Sequence, residues 1–354
     1  MLKSRLFVCA LTLVLLVSAF AGTGGAKAAP AGLTIHISAD KATIGAWEGA
    51  LVNVTVSNNG KRAAKVLKWF TPFEDVEEPL FSVTRDGQAV AYIGALYKRP
   101  APTAADYIIL KPGKSFTRTI DLGAYYDLSE SGNYSIQYNV ASWNLHSEKG
   151  NLLQGAASLT SNKLSLAIVG RASTAVHEIA PAAATGSNTF TKCTTTQQTS
   201  LNAARSQAGT YSANALSYLN AGTQGLRYTT WFGVFNTTRY NTAKTHFSSI
   251  SSAMDTAPVT FNCGCKKKYY AYVYPTQPYT IYLCNVFWTA PLTGTDSKAG
   301  TLIHEMSHFN VVSATNDWVY GQAGAKNLAI TDPAKAVTNA DNHEYFAENT
   351  PSQP

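Results

Sequence analysis

Between Cys9 and Cys193 the chain has no cysteine. Its first half therefore cannot be a disulfide scaffold, cannot hold a cysteine-ligated zinc, and cannot silence a metal centre with a thiolate. Charge is also scarce: Asp, Glu, Lys and Arg make up 14% of 354 residues. The formal net charge of +7 is scattered, and Lys3, Arg5 and Lys27 lie in an N-terminal segment with the character of a removable signal. The one basic run, Lys266-Lys267-Lys268, reads as a solvated loop. No helix-turn-helix, finger or RNP pattern accompanies it, which argues against a nucleic-acid partner. Long apolar runs are missing too. Only Leu6 to Ala21 qualifies, and it is shorter than the about 20 residues that span a bilayer, so no membrane anchor is expected.

That apolar run follows Lys3 and Arg5, as in a secretory signal, with Ala19-Phe20-Ala21 and Ala26-Lys27-Ala28 as alternative cleavage sites. The expected product is secreted and soluble. Cys9 leaves with the signal, and Cys193, Cys263, Cys265 and Cys284 remain. An even count in an exported chain implies disulfides, with three possible pairings. Cys263 and Cys265 are too close to pair comfortably, which favours a distant partner for each. A four-cysteine zinc site lacks the paired CxxC units it would need.

The length suggests two domains. Residues from about 29 to 170 read as all-β. Leu51–Val56, Phe81–Thr84 and Tyr134–Val140 alternate, and Asn58-Asn59-Gly60, Asp86-Gly87, Lys111-Pro112-Gly113 and Ser131-Gly132-Asn133 supply turns. This pattern predicts an immunoglobulin-like sandwich without the antibody-type disulfide. Residues 171–188 are small and polar or weakly apolar, as in a flexible, cleavable linker. From 189 to 354 the pattern is α+β. Helices are expected over Gln198–Ala221 and Asn241–Met254, strands over Tyr269–Tyr274 and Thr280–Leu283, then a helix beginning near Ser297.

That last helix carries His304-Glu305-Met306-Ser307-His308. Positions i and i+4 share a helical face, so both imidazoles can bind one zinc ion, and the glutamate between them stands where a metalloprotease needs its general base. A catalytic zinc wants a third protein ligand and one open position. The metzincin pattern fails, because Val311 and Ala314 stand where it needs Gly and His. A glutamate from a later helix, Glu344 or Glu348, could serve, and so could Asp317.

Gly300–Phe309 followed by Asp317-Trp318-Val319-Tyr320-Gly321 resembles the deuterolysin family of zinc proteases, the aspzincins, most closely their peptidyl-Lys metalloendopeptidase branch. Arg227–Gly233, Tyr282-Leu283-Cys284, Ala290-Pro291, Gly294-Thr295-Asp296-Ser297 and Asn339–Phe346 extend the resemblance over roughly 189–354. It implies a zincin-type catalytic domain with one Zn2+ held by His304, His308 and Asp317. It also implies Glu305 as the catalytic glutamate, Tyr320 as the transition-state tyrosine, and disulfides Cys193–Cys263 and Cys265–Cys284. In the enzymes it resembles, two acids matching Asp341 and Glu344 select lysine on the C-terminal side of the cut bond. At i, i+3 these two can share a helical face and hold an ammonium, although two solvated surface acids would show the same spacing. His343, between them, reads as structural or as a support for the metal ligands.

The expected protein is thus a secreted zinc endopeptidase made as a zymogen, cutting on the N-terminal side of lysine in protein or peptide substrates, with the β-domain as an intramolecular pro-domain. Nothing demands more than a monomer. One rival keeps the chemistry with broader, deuterolysin-like specificity; another is a non-catalytic secreted binding protein. The β-domain could instead be a retained binding module. As a pro-domain it could block the site with an acidic, histidine or lysine side chain. The linker holds Arg171 but no lysine, so a strictly lysine-directed enzyme would have to cut at Lys163 or Lys192, or rely on another protease.

Overall fold

The computed structural model describes residues 32–140, 145–146, 159–170 and 186–354. The segment read as a signal (1–28) and most of the segment read as a linker (171–185) lie outside the described residues.

The N-terminal unit is built from short strands: β1 (Leu33–Ser38), β2 (Thr43–Ile44), β3 (Leu51–Asn58), β4 (Ala64–Leu67), β5 (Phe81–Arg85), β6 (Gln88–Ala89), β7 (Leu96–Lys98), β8 (Tyr107–Leu110), β9 (Ser115–Asp121), β10 (Gly132–Val140), β11 (Leu145–His146), β12 (Leu159–Thr160) and β13 (Leu164–Ile168). They pair as β1-β3-β9, as β2-β13-β10-β5-β6, and as β11-β4-β8. Alternation in sequence becomes alternation in burial: every second residue of β1 and β3 faces inward. Ile35, Val52, Val54, Val56, Leu80, Ile136 and Tyr138 form one core, so the expected β-domain is present. Tyr126 closes it by accepting from Phe81 N–H (2.9 Å) and donating to Phe81 C=O (2.7 Å).

The C-terminal unit mixes helices and a sheet. Its strands are β14 (Asn188–Thr191), β15 (Val259–Asn262), β16 (Ala271–Val273) and β17 (Thr280–Leu283). Its helices are α1 (Thr195–Asn220), α2 (Leu226–Phe232), α3 (Thr237–Thr256), α4 (Asn285–Thr289), α5 (Lys298–His308), α6 (Gly321–Thr331), α7 (Pro333–Ala336) and α8 (Ala340–Glu348). The two long helices and both strands predicted from the sequence are present, although β16 is shorter than Tyr269–Tyr274. Cys193–Cys263 and Cys265–Cys284 are both bonded, the pairing that the resemblance implies.

The sheet of this unit runs β14-β15-β17-β16-β7, so its last strand comes from the N-terminal unit. β7 pairs antiparallel with β16, Lys98 opposite Ala271 and Leu96 opposite Val273. An exposed strand edge presents unpaired N–H and C=O groups, and an added strand satisfies them. The sequence pattern singles out no strand at 96–98 and does not show which sheet it joins.

Helix α5 is buried along its whole length after Lys298. Ser297 caps it, accepting from Gly300 N–H (2.9 Å) and donating to Glu348 Oε1 (2.7 Å). Gly300 lets α8 approach: a Cβ there would stand 2.1 Å from Glu348 Oε1 and 3.0 Å from Glu344 Cγ. Burial lifts the Glu348 carboxyl to about 9, despite the Ser297 donors. Ser297→Ala orphans the Gly300 N–H and removes one of the two Ser297 donors to Glu348 Oε1, and is expected to cost about 1–3 kcal/mol. A lower urea midpoint of unfolding checks this.

Candidate functional site

Helix α5 places His304 and His308 one turn apart, with ring centroids 4.8 Å from each other. The third group comes from the loop between α5 and α6. Asp317 Oδ1 lies 3.1 Å from His304 Nε2, and Asp317 Oδ2 lies 3.3 Å from His308 Nε2. All three side chains are buried, and these facing atoms lack a hydrogen-bonding partner. Buried polar atoms left unpaired at such spacing suit a metal ion. Two donors each about 2.0–2.1 Å from one zinc at a tetrahedral angle stand about 3.3–3.4 Å apart. Two imidazoles and a carboxylate are also a donor set suited to zinc. His308 Nδ1 lies 2.9 Å from Thr315 C=O, which turns Nε2 toward the site as an acceptor.

Of the alternatives left open by the residues, Glu348 is occupied with Ser297, and Glu344 lies on the other side of His304. Glu305 is fully buried, with both carboxylate oxygens free of hydrogen bonds of normal geometry. Burial raises it to about 8, while the His304 imidazole and the ammonium and backbone N–H of Lys98 pull it down. A dication beside it would lower it further.

The loop carrying Asp317 and Tyr320 is tied to the start of α8. Asn339 Oδ1 accepts from Trp318 N–H (2.8 Å) and Val319 N–H (3.2 Å), and its amide donates to Val319 C=O (3.3 Å). Gly321, at φ +78°, turns the chain into α6 and donates to Asp341 Oδ2 (2.6 Å).

Asp341 and Glu344 do share one face of α8, but neither is solvated: both are fully buried. Between them lies the ammonium of Lys98, with Nζ 2.6 Å from Glu344 Oε2, 3.5 Å from Asp341 Oδ1 and 3.4 Å from Asp296 Oδ1. The rings of Tyr270 and Tyr345 lie 5.0 and 5.7 Å from Nζ. Burial alone would lower the Lys98 pKa, but Asp341, Glu344 and Asp296 outweigh it and hold the ammonium charged. Asp341 Oδ1 also lies 2.9 Å from His304 Nδ1, so one carboxylate faces both the imidazole and the ammonium. His304, Asp341 and Glu344 are themselves spaced as a cation site, and the lysine supplies the cation.

Tyr320 is fixed by the N-terminal unit. Its hydroxyl donates to Glu78 Oε1 (2.7 Å) and accepts from Arg99 Nη1 (2.6 Å), and its ring meets Trp69 edge-on at 5.4 Å. Arg99 also pairs with Glu78 and Glu77. Lys267 lies in an exposed run, as expected, and pairs with Glu77. His343 stands away from the metal ligand set, 3.0 Å from His246 and 2.9 Å from Asn339 C=O; burial lowers it to about 3.

Sequence reasoning missed Lys98, Arg99, Glu77, Glu78 and Asp296 as members of this site. Asp296 sat inside a motif already singled out. Lys98 carried a signal only in hindsight, as a lysine in an extended segment of a chain suspected of recognising lysine. Replacing Asn339 with alanine should loosen the Asp317 loop at a cost of about 1–3 kcal/mol. Weaker metal retention during dialysis against a chelator, together with a lower melting temperature, checks this.

Known proteins resemble this chain. A family model described as lysine-specific metallo-endopeptidase, the aspzincins, matches residues 217–348. An "Extracellular protease" of Aeromonas hydrophila is 48% identical over 87% of this chain and 90% of its own length. A "Peptidyl-Lys metalloendopeptidase" of Grifola frondosa is 36% identical over 93% of this chain and 96% of its own. Among solved structures, a zinc peptidase from Grifola frondosa is 50% identical over 46% of this chain and the whole of that one, with a TM-score of 0.45. The chain belongs to the aspzincin family of metallo-endopeptidases.

Proposed function

We propose that the protein is a secreted zinc endopeptidase, made as a zymogen, that hydrolyses the peptide bond on the N-terminal side of lysine. The observation that carries this reading is the pair of adjoining sites sharing His304: three unpaired metal-type donors on one side, and a carboxylate cage around an ammonium on the other. In this reading residues 1–28 are a signal, 29–170 an immunoglobulin-like pro-domain, 171–188 a cleavable linker and 189–354 the catalytic domain. Its relatives' names support it: one is an extracellular protease and others are peptidyl-Lys metalloendopeptidases. Among the described residues no helix is long and apolar enough to cross a membrane.

His304, His308 and Asp317 would hold one zinc, which when bound supplies a Lewis acid for the scissile carbonyl and a more acidic water. Glu305 takes a proton from the attacking water and delivers it to the leaving amine. The Tyr320 hydroxyl donates to the developing oxyanion once it is free to turn toward it. Asp341, Glu344 and Asp296 receive the substrate lysine, whose methylenes lie along Tyr270 and Tyr345. Asp341 additionally orients His304, so Glu344 gives the cleaner test of specificity.

Glu305→Gln is expected to retain one zinc per chain by elemental analysis while kcat falls about 100- to 10,000-fold. Glu344→Gln should lower kcat/KM on a lysine peptide about 30-fold or more, with zinc content unchanged. Unchanged preference between lysine and arginine peptides in that variant would favour the broader deuterolysin-like reading.

A further inference from the structure

The cage around Lys98 Nζ contains metal-type donors of its own. His304 Nδ1 faces it, 2.9 Å from Asp341 Oδ1 and 3.4 Å from Glu344 Oε2. His304 Nδ1 and both Glu344 oxygens are fully buried without a hydrogen bond of normal geometry. One imidazole nitrogen and two carboxylates form a ligand set, and here they are spaced as one. The positive groups that favour the charged forms of Asp341 and Glu344 are the Lys98 ammonium and the His304 imidazole. Without that ammonium, two buried acids and the half-buried Asp296 are left around a single imidazole. Buried carboxylates without a counter-charge are costly, so the vacated cage favours another cation.

The donor types select the ion. An imidazole nitrogen with carboxylates suits zinc, whereas calcium wants about six to eight oxygens and magnesium keeps several waters in an octahedron. The rings of Tyr270 and Tyr345 flank the position of Nζ and leave little room for such waters. The 3.4 Å between His304 Nδ1 and Glu344 Oε2 already suits two ligands of one tetrahedral zinc. Asp341 Oδ1 has to draw back from the imidazole by only about 0.4 Å. We propose that the lysine cage is a second zinc site: when the Lys98 ammonium is gone, His304 Nδ1, Asp341 and Glu344 hold a Zn2+ ion that competes with a substrate lysine for the same carboxylates. This inference rests on the zinc-endopeptidase reading and adds control of that enzyme by free zinc. The ion replaces the proton on His304 Nδ1, which leaves to solvent. Asp341 and Glu344 cannot hold an ammonium and the ion together. Zinc in excess of the catalytic equivalent is therefore an inhibitor directed at the lysine pocket.

The test counts metal in the full chain. A Glu305→Gln background, checked uncut by intact mass, keeps the chain whole. Lys98→Ala then empties the cage, while the main-chain pairing of β7 with β16 needs no lysine side chain. After equilibration with excess Zn2+ and gel filtration, elemental analysis should find about one ion per chain with Lys98 and about two with Lys98→Ala. Adding Glu344→Gln to Lys98→Ala should bring the count back to about one. An equal count with and without Lys98, or a second ion that survives Glu344→Gln, would overturn the proposal. Should Lys98→Ala not fold, the processed protein without substitutions decides. It should hold about two ions, and excess n-butylammonium, which is a lysine side chain without its backbone, should displace one of them. A single ion there, or retention of both against n-butylammonium, overturns the proposal. A chain that takes up no zinc in any form contradicts the zinc reading itself, a result distinct from a chain that stops at one.

Discussion

Asp341 is the residue on which the rest of the site depends. One of its oxygens faces both the His304 imidazole and the Lys98 ammonium, and the other accepts the Gly321 N–H that begins α6. A single buried carboxylate thus links the metal-type donors, the lysine cage and the turn after Tyr320. It could not survive there alone. Burial works against its charge, and the Lys98 ammonium with the His304 imidazole holds its pKa below the ordinary value. The same logic governs Glu344, which burial pushes up even beside Lys98.

A cage of buried acids is costly when empty and favourable when filled by a well-placed cation, and that asymmetry is a source of specificity. Arginine brings a broad planar fork where the cage offers space for a point charge between Glu344, Asp341 and Asp296. The same asymmetry explains why a strand from the N-terminal unit leaves its own sheets. β7 gains the edge of β16 and relieves three carboxylates at once. Arg99 and Glu78 extend the contact to Tyr320, so the two units meet through the atoms that chemistry would use.

Much of this was legible in the sequence because it is local. The His304–His308 spacing sits within one helix, and the alternation of β1, β3 and β10 shows directly which residues face the core. The third donor was not legible from the residues alone, since Asp317 arrives on an aperiodic loop whose path is set by Asn339. Only the resemblance singled it out over Glu344 and Glu348. The disulfide pairing was open for the same reason. Lys98 and Arg99 were invisible because extended pattern carries no address for the partner strand. Lys267 is exposed, as its basic run suggested, but its pairing with Glu77, 190 residues away, was not legible.

The central claim is that a zinc-type centre and a lysine cage act together on a peptide bond. The most direct measurement digests a denatured, lysine-containing protein with the processed enzyme and identifies every new N terminus by mass spectrometry. The account predicts that nearly all new termini begin with lysine. Mixed termini would contradict the cage's role, and an absence of cuts with zinc present would contradict the catalytic reading itself.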